Sequence, residues 1–239
     1  MADNEKVLTE LADRLTKAHG ASLISLLLYG SGATGDANAK FSDINVLCVL
    51  DAITPAALGR TEAVFQWWRA QGHPAPVLLS EDEVRHATDC FAIEFHDIQA
   101  RSRLVAGRDV VSGLTIDYTF YRSRVEYELR SKLLRLRQKA AGMLSQGDML
   151  LKLMADSLST FTTLTRHAVL LDGGEAHWTK REIIAAAGAR FGFDGQPFYT
   201  LLDLREGTGK PKAAEAGAIL EAYLKQIQIV IDAVDRLER

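Results

Sequence analysis

The chain has 239 residues, 47% of them hydrophobic and 25% charged, the make-up of an ordinary globular protein with room for one large domain or two small ones. Its 28 basic and 31 acidic side chains give a net charge of −3. That excludes a global attraction to nucleic acid or anionic membranes and leaves only local basic patches. Cys48 and Cys90 lie in apolar or mixed stretches and read as reduced thiols, not as a disulfide framework. The charged, amphipathic start "MADNEKVLTELADRL" has no signal-peptide core, and no apolar run approaches the roughly 20 residues that span a bilayer. A cytoplasmic protein without membrane partners is expected.

In chain order, Val7, Leu8, Leu11, Leu15 and Ala18 recur at helical spacing, and Gly20 ends that helix. "SLISLLLY" and "INVLCVL" read as two buried strands. "TPAALGRTEAVFQWWRAQG" reads as a helix with Pro55 in its first turn and Gly72 at its end. "APVLLS" is a third strand, "SEDEVRHA" a short capped helix, and "CFAIEFHDIQA" a fourth strand running on to a turn at "AGRD". Beyond residue 113 strand signals vanish. A helix is expected over roughly 118–145. A second carries a stripe of Leu151, Met154, Leu158, Phe161, Thr165 and Ala168 and stops at Gly173-Gly174. A third is opened by the capping box of Thr179 and Glu182, a short one by Pro197, and a last one runs over about 212–237. The expected fold class is α+β: a small mixed sheet with flanking helices over 1–112, then an all-α bundle over 113–239.

Gly30, Gly32 and Gly35 spell G-x-G-x-x-G after the first strand, and Asp51 closes the second. By motif alone this is a dinucleotide fingerprint. A dinucleotide-binding βαβ unit needs about 30 residues or more, whereas only about 14 separate Tyr29 from Ile44. The strands are therefore expected to be antiparallel, or joined by a short helix over one edge.

The same residues fit another pattern. Gly30-Ser31, eleven intervening residues, then Ser42-Asp43-Ile44-Asn45 and an apolar strand resembles the G-S…[SD]-D-x-D signature of the DNA polymerase β-like nucleotidyltransferase superfamily, which includes bacterial small-molecule and minimal nucleotidyltransferases. The order helix, strand, GS turn, D-x-D strand is similar too, over roughly residues 1–112. The resemblance implies transfer of a nucleoside monophosphate, AMP above others, from a triphosphate bound with Mg²⁺ (or Mn²⁺) to a hydroxyl acceptor. An antibiotic, a protein side chain and a nucleic-acid end are all open as acceptors, the last disfavoured by the charge balance; self-association is left open.

The chemistry is intelligible without the name. A tight Gly30-Ser31 turn offers backbone N–H groups and a hydroxyl to phosphates. Side chains at i and i+2 of a strand point the same way, so Asp43 and Asn45 form an oxygen-rich metal pair. Asn45 departs from the signature, where a second carboxylate is expected. An amide contributes one carbonyl oxygen but no charge, which lowers metal affinity and keeps a second reading alive: a degenerate member that binds nucleotide or a protein partner without turnover.

Glu94 is the candidate third carboxylate, metal ligand and general base, since a carboxylate in an apolar run needs a partner. On a regular strand His96 shares its face and Asp97, the alternative, takes the other; a structural ion pair with Arg101 or Arg103 is the plain reading. The seven basic side chains within 120–139 read as snorkelling around Val125, Leu129, Leu133 and Leu136, or as holding one or two groups for a triphosphate. "REGTGKPK" reads as a loop. Of Trp67 and Trp68, one is expected in the core.

Overall fold

Four short apolar segments pair into one mixed sheet: β1 (Leu23–Tyr29), β2 (Asn45–Leu50), β3 (Val77–Ser80) and β4 (Ser102–Gly107), in the order β3-β2-β1-β4. The computed structural model describes residues 2–33 and 44–237, and the chain divides into two units, Met1–Thr119 and Phe120–Arg239.

In the first unit β1 pairs antiparallel with β2, from Leu23 opposite Leu50 to Tyr29 opposite Asn45. On its other side β1 pairs antiparallel with β4. Among the described residues β2 and β3 alone are parallel, and they are joined by a long crossover helix, α2 (Pro55–Ala70), as parallel strands require. Thr54 caps α2 by accepting from the Ala57 N–H at 3.1 Å, with Pro55 in the first turn. Leu26, Leu28, Val46, Cys48 and Leu50 pack with Leu8, Leu11 and Leu15 of α1 (Ala2–His19) and with Ala57, Val64 and Trp68 of α2. Trp68 is fully buried, and its indole N–H donates to the Pro74 carbonyl at 2.8 Å. Its neighbour Trp67 instead lies under the Arg14 guanidinium, 4.3 Å from the ring centre. Burial pushes the Cys48 thiol up to about 12, so it stays protonated and unreactive.

Ser80 ends β3 and caps α3 (Glu81–His86) through a reciprocal box with Glu83. The next segment corrects the sequence reading. Residues 92–100 are not a strand but a helix, α4 (Ala92–Ala100), and the fourth strand begins two residues later as β4. Ala92, Phe95 and Ile98 are buried together, a three-residue recurrence that a helix satisfies and an alternating strand does not.

At the end of α1, His19 is buried and its Nε2 lies 3.0 Å from Thr61 Oγ1, whose own hydroxyl donates to the Ala57 carbonyl at 2.9 Å. The histidine must therefore donate through Nε2, which leaves Nδ1 as a buried acceptor without a hydrogen-bond partner among the described residues. Burial first, then Arg60, lowers the His19 pKa below the ordinary value, against a smaller opposing pull from Asp51. The folded state thus binds the proton less readily than the unfolded chain. This contribution to stability is complete above the unfolded histidine pKa and is lost as pH falls through the folded value. Thermal melts between about pH 7.5 and about pH 5 are expected to show a smaller acid loss in His19→Gln than in the parent; identical losses would remove His19 as the cause.

The second unit is built from α5 (Tyr121–Ala141), α6 (Gly147–Leu171), α7 (Lys180–Phe191), α8 (Gln196–Glu206) and α9 (Ala216–Arg236). Among its described residues no strand occurs, in keeping with the expected bundle. Helix α6 is central, packing against α5, α7, α8 and α9. Its expected stripe is buried throughout: Leu151, Met154, Leu158, Phe161, Thr165 and Ala168. The capping box of Thr179 and Glu182 opens α7, and Pro197 lies in the first turn of α8. On α5 the stripe of Val125, Leu129, Leu133 and Leu136 is buried. Four of the basic side chains pair with the helix's own acids, Arg122 and Arg130 with Glu126, Arg124 and Lys132 with Glu128. Among the described residues no helix is long and apolar enough to cross a membrane.

Candidate functional site

The antiparallel pairing of β1 and β2 decides what the glycine stretch is. A dinucleotide site needs the glycine turn and the acid at the same end of two parallel strands. Here Gly30 follows Tyr29, which faces Asn45 at the start of β2. Asp51 follows the far end of β2, where its N–H donates to the Ser22 carbonyl at 3.0 Å and its carboxylate accepts from the Ser22 hydroxyl at 3.0 Å. At about 3.4 Å per residue, six residues of strand put Asp51 roughly 20 Å from the glycines. The two halves of the fingerprint sit at opposite ends of the sheet.

At the glycine end three elements meet. Gly30 and Ser31 open a short 3₁₀ turn, Gly30–Ala33, directly from β1. Gly30 has φ +76°, a left-handed conformation that side chains disfavour. Its N–H donates to the Arg101 carbonyl at 3.1 Å, which ties the turn to the junction of α4 and β4. The Asn45 amide lies close on the other side: a Cβ on Gly30 would stand 3.4 Å from Asn45 Nδ2. Tyr29, between Asn45 on β2 and Ser102 on β4, completes the row.

Glu94 and Asp97 of α4 both act on this row. The Tyr29 phenol is held above the ordinary tyrosine range, chiefly by burial and then by the negative charges of Glu94 and Asp97. The helix therefore corrects two expectations about these residues. Glu94 is exposed rather than enclosed in an apolar strand, so burial imposes no need for a partner. Asp97, three residues on, shares the side of Glu94; His96, whose Nδ1 lies 3.7 Å from Asp97 Oδ1, is also edge-on to Tyr118, 6.3 Å between ring centres. Arg103, offered as a structural partner for these acids, instead pairs with Glu5 of α1 at 2.8 Å.

Of the sequence-predicted site, the structure thus gathers Gly30, Asn45, Glu94 and its alternative Asp97 about one end of the sheet and adds Tyr29. The backbone of Ser31 belongs to the same turn. Asp43 lies outside the described residues. Tyr29 escaped the sequence reading because it looks like the last residue of a buried strand; its place beside the glycines was the available signal. If Tyr29 senses both carboxylates, Glu94→Gln and Asp97→Asn are each expected to lower its pKa toward the ordinary value. Ultraviolet titration against a Tyr29→Phe background isolates this phenol. An unchanged titration in both variants would separate α4 from the site.

No protein-family model matches the chain, and no curated protein matches it. Among solved structures, it is similar to the spectinomycin adenyltransferase AAD(9) from Enterococcus faecialis, solved with ATP and spectinomycin. The TM-score is 0.64 at 12% sequence identity, over 96% of this chain and 98% of that one. The chain shares the fold of that structure. The likeness takes in nearly the whole of both chains, helical second unit included, well beyond the first 112 or so residues that carry the sequence resemblance.

Proposed function

We propose that the protein is a nucleotidyltransferase that moves AMP from ATP to a hydroxyl group of a small molecule. The observation that carries this reading is the meeting of the Gly30 turn, Asn45 and the α4 carboxylates at one end of an antiparallel β1–β2 pair. The fold likeness to an enzyme solved with ATP and an antibiotic supports it.

In this reading Gly30 and Ser31 offer backbone N–H groups and a hydroxyl to the triphosphate. Asp43, Asn45 and a carboxylate of α4 would hold the divalent cation; their donors are all hard oxygens, the set that suits Mg²⁺ or Mn²⁺. When bound, the ion supplies charge neutralisation for the phosphoryl oxygens. Glu94 or Asp97 takes the proton of the acceptor hydroxyl; the acceptor oxygen bonds to the α-phosphorus as pyrophosphate leaves. The exposure of Glu94 suits a base that meets an incoming substrate.

A second reading rests on Asn45: with one carboxylate missing from the D-x-D pair, the chain binds nucleotide, or a protein partner, without turnover. Thermal shift with ATP, GTP, CTP, UTP and NAD, each with and without Mg²⁺, separates the cases. Stabilisation that needs both triphosphate and metal supports transfer. Metal-independent stabilisation by triphosphate supports the non-catalytic protein. A response to NAD alone would overturn both.

A further inference from the structure

The outer face of α5 holds a feature that nucleotide transfer does not use. Phe120, at the start of the helix, Tyr127 and Leu134 follow one another at seven-residue spacing, and they are 64%, 61% and 58% exposed. At about 100° per residue these side chains stand in a single line along the helix, opposite the buried stripe of Val125, Leu129, Leu133 and Leu136. Large apolar side chains exposed in register on a helix are unlike scattered surface apolar residues, which need no explanation.

The line is flanked by positive charge. Residues 121–141 carry seven basic and two acidic side chains, an excess of five on a chain whose net charge is −3. The two acids are already engaged by Arg122, Arg124, Arg130 and Lys132. Arg135, Arg137 and Lys139 are exposed and make no ion pair among the described residues; Arg137 reaches only the Gln228 side-chain oxygen, at 3.5 Å. They stand on both sides of Leu134.

We propose that this face of α5 docks an acidic amphipathic helix of a protein partner. Apolar anchors at i, i+7 and i+14 along one face are the spacing by which one helix engages another amphipathic helix. An anionic membrane surface calls for a broad apolar sector, and single-stranded nucleic acid stacks its bases on closely following aromatic rings, whereas here the two rings stand roughly 10 Å apart along the helix axis and the line ends in a leucine. A second copy of the chain would set two faces of the same positive sign against each other, which disfavours self-pairing. Carboxylates flanking the partner's apolar seam meet Arg135, Arg137 and Lys139.

The test uses the full chain and a fluorescent synthetic peptide of about 21 residues, three heptads with leucine at a and d and glutamate at the flanking positions. Binding is expected to weaken by about tenfold or more in Leu134→Ser and in the double variant Arg135→Glu/Arg137→Glu. Lys152→Glu, an exposed charge reversal on α6, is expected to leave it unchanged. Affinity should fall steeply between about 50 and about 300 mM salt. All substituted positions are exposed, so unchanged melting temperatures certify the fold. The proposal is overturned by no binding, by equal binding in parent and variants, by tighter binding to phosphatidylserine vesicles or to a DNA duplex, or by a dimer in sedimentation that Leu134→Ser dissolves.

Discussion

Asn45→Asp is expected to bind Mg²⁺ with ATP about tenfold more tightly than the parent, and Asp43→Ala to abolish that binding. Asn45 stands at the start of β2, against the Gly30 turn and opposite Tyr29. In the proposed site Asp43 and residue 45 serve as one metal-holding pair, so an aspartate at 45 would add a full negative charge to that pair. At an effective dielectric of about 20, unit charges about 4 Å apart interact by roughly 4 kcal/mol, and a dication gains more. Desolvation takes back much of that. A net gain of only ~1.4 kcal/mol already corresponds to the tenfold change. The substitution exchanges one polar atom for another at a half-buried position, so packing is preserved. Calorimetry of the metal–nucleotide complex reads the result. Equal affinity in parent, Asn45→Asp and Asp43→Ala would mean that residues 43 and 45 hold no metal. The transfer mechanism would then fail, although the fold would stand.

The same region shows which features a sequence reader meets directly. Connection length alone removed the crossover, since about 14 residues cannot contain one, and left antiparallel strands or a short helix over one edge; the structure takes the antiparallel pairing. Strand β2, helix α2 with Pro55 in its first turn, and strand β3 were each legible, but that the two strands pair in parallel was not assigned from the sequence. The capping boxes at Ser80 and Thr179 were readable because they are local, three residues from end to end.

Helix α4 was not legible as a helix, and the reason is physical. Nine residues that include Ile93, Phe95 and Ile98 satisfy strand propensity as well as helix propensity, and a run this short gives periodicity little to work on. The distinguishing pattern, Ala92, Phe95 and Ile98 at three-residue spacing, competes with the adjacent Ile93. The error had a definite cost. It set Glu94 and Asp97 on opposite faces as rivals, whereas both charges bear on Tyr29. Which residues carry charge could be read from composition; which of them share a face depends on the backbone period, and that was decided by tertiary packing.

The second large effect is expected at Gly107, which ends β4. Its φ is +79°, and a Cβ built there would stand 2.2 Å from the Ile24 carbonyl oxygen and 3.1 Å from Ser25 Cα. The neighbours are backbone atoms of β1, so no side-chain rotation relieves the clash. Gly107→Ala therefore combines a left-handed conformation with forced separation of two hydrogen-bonded strands, for a loss of about 2–4 kcal/mol. Gly72, at the end of α2, supplies the control: its φ is +87° but nothing lies within 4 Å of an added Cβ, so Gly72→Ala should lose only the conformational part, about 1–2 kcal/mol. Urea unfolding of the two variants separates sterics from backbone preference. The effect should also reach the site, because β4 carries the Arg101 junction whose carbonyl holds Gly30. Displacing β4 from β1 moves α4 and its carboxylates away from the Gly30 turn, so Gly107→Ala should weaken ATP-dependent stabilisation while Gly72→Ala leaves it intact. If both variants lose the same stability and the same response to ATP, the close approach of β4 to β1 neither limits stability nor positions the site.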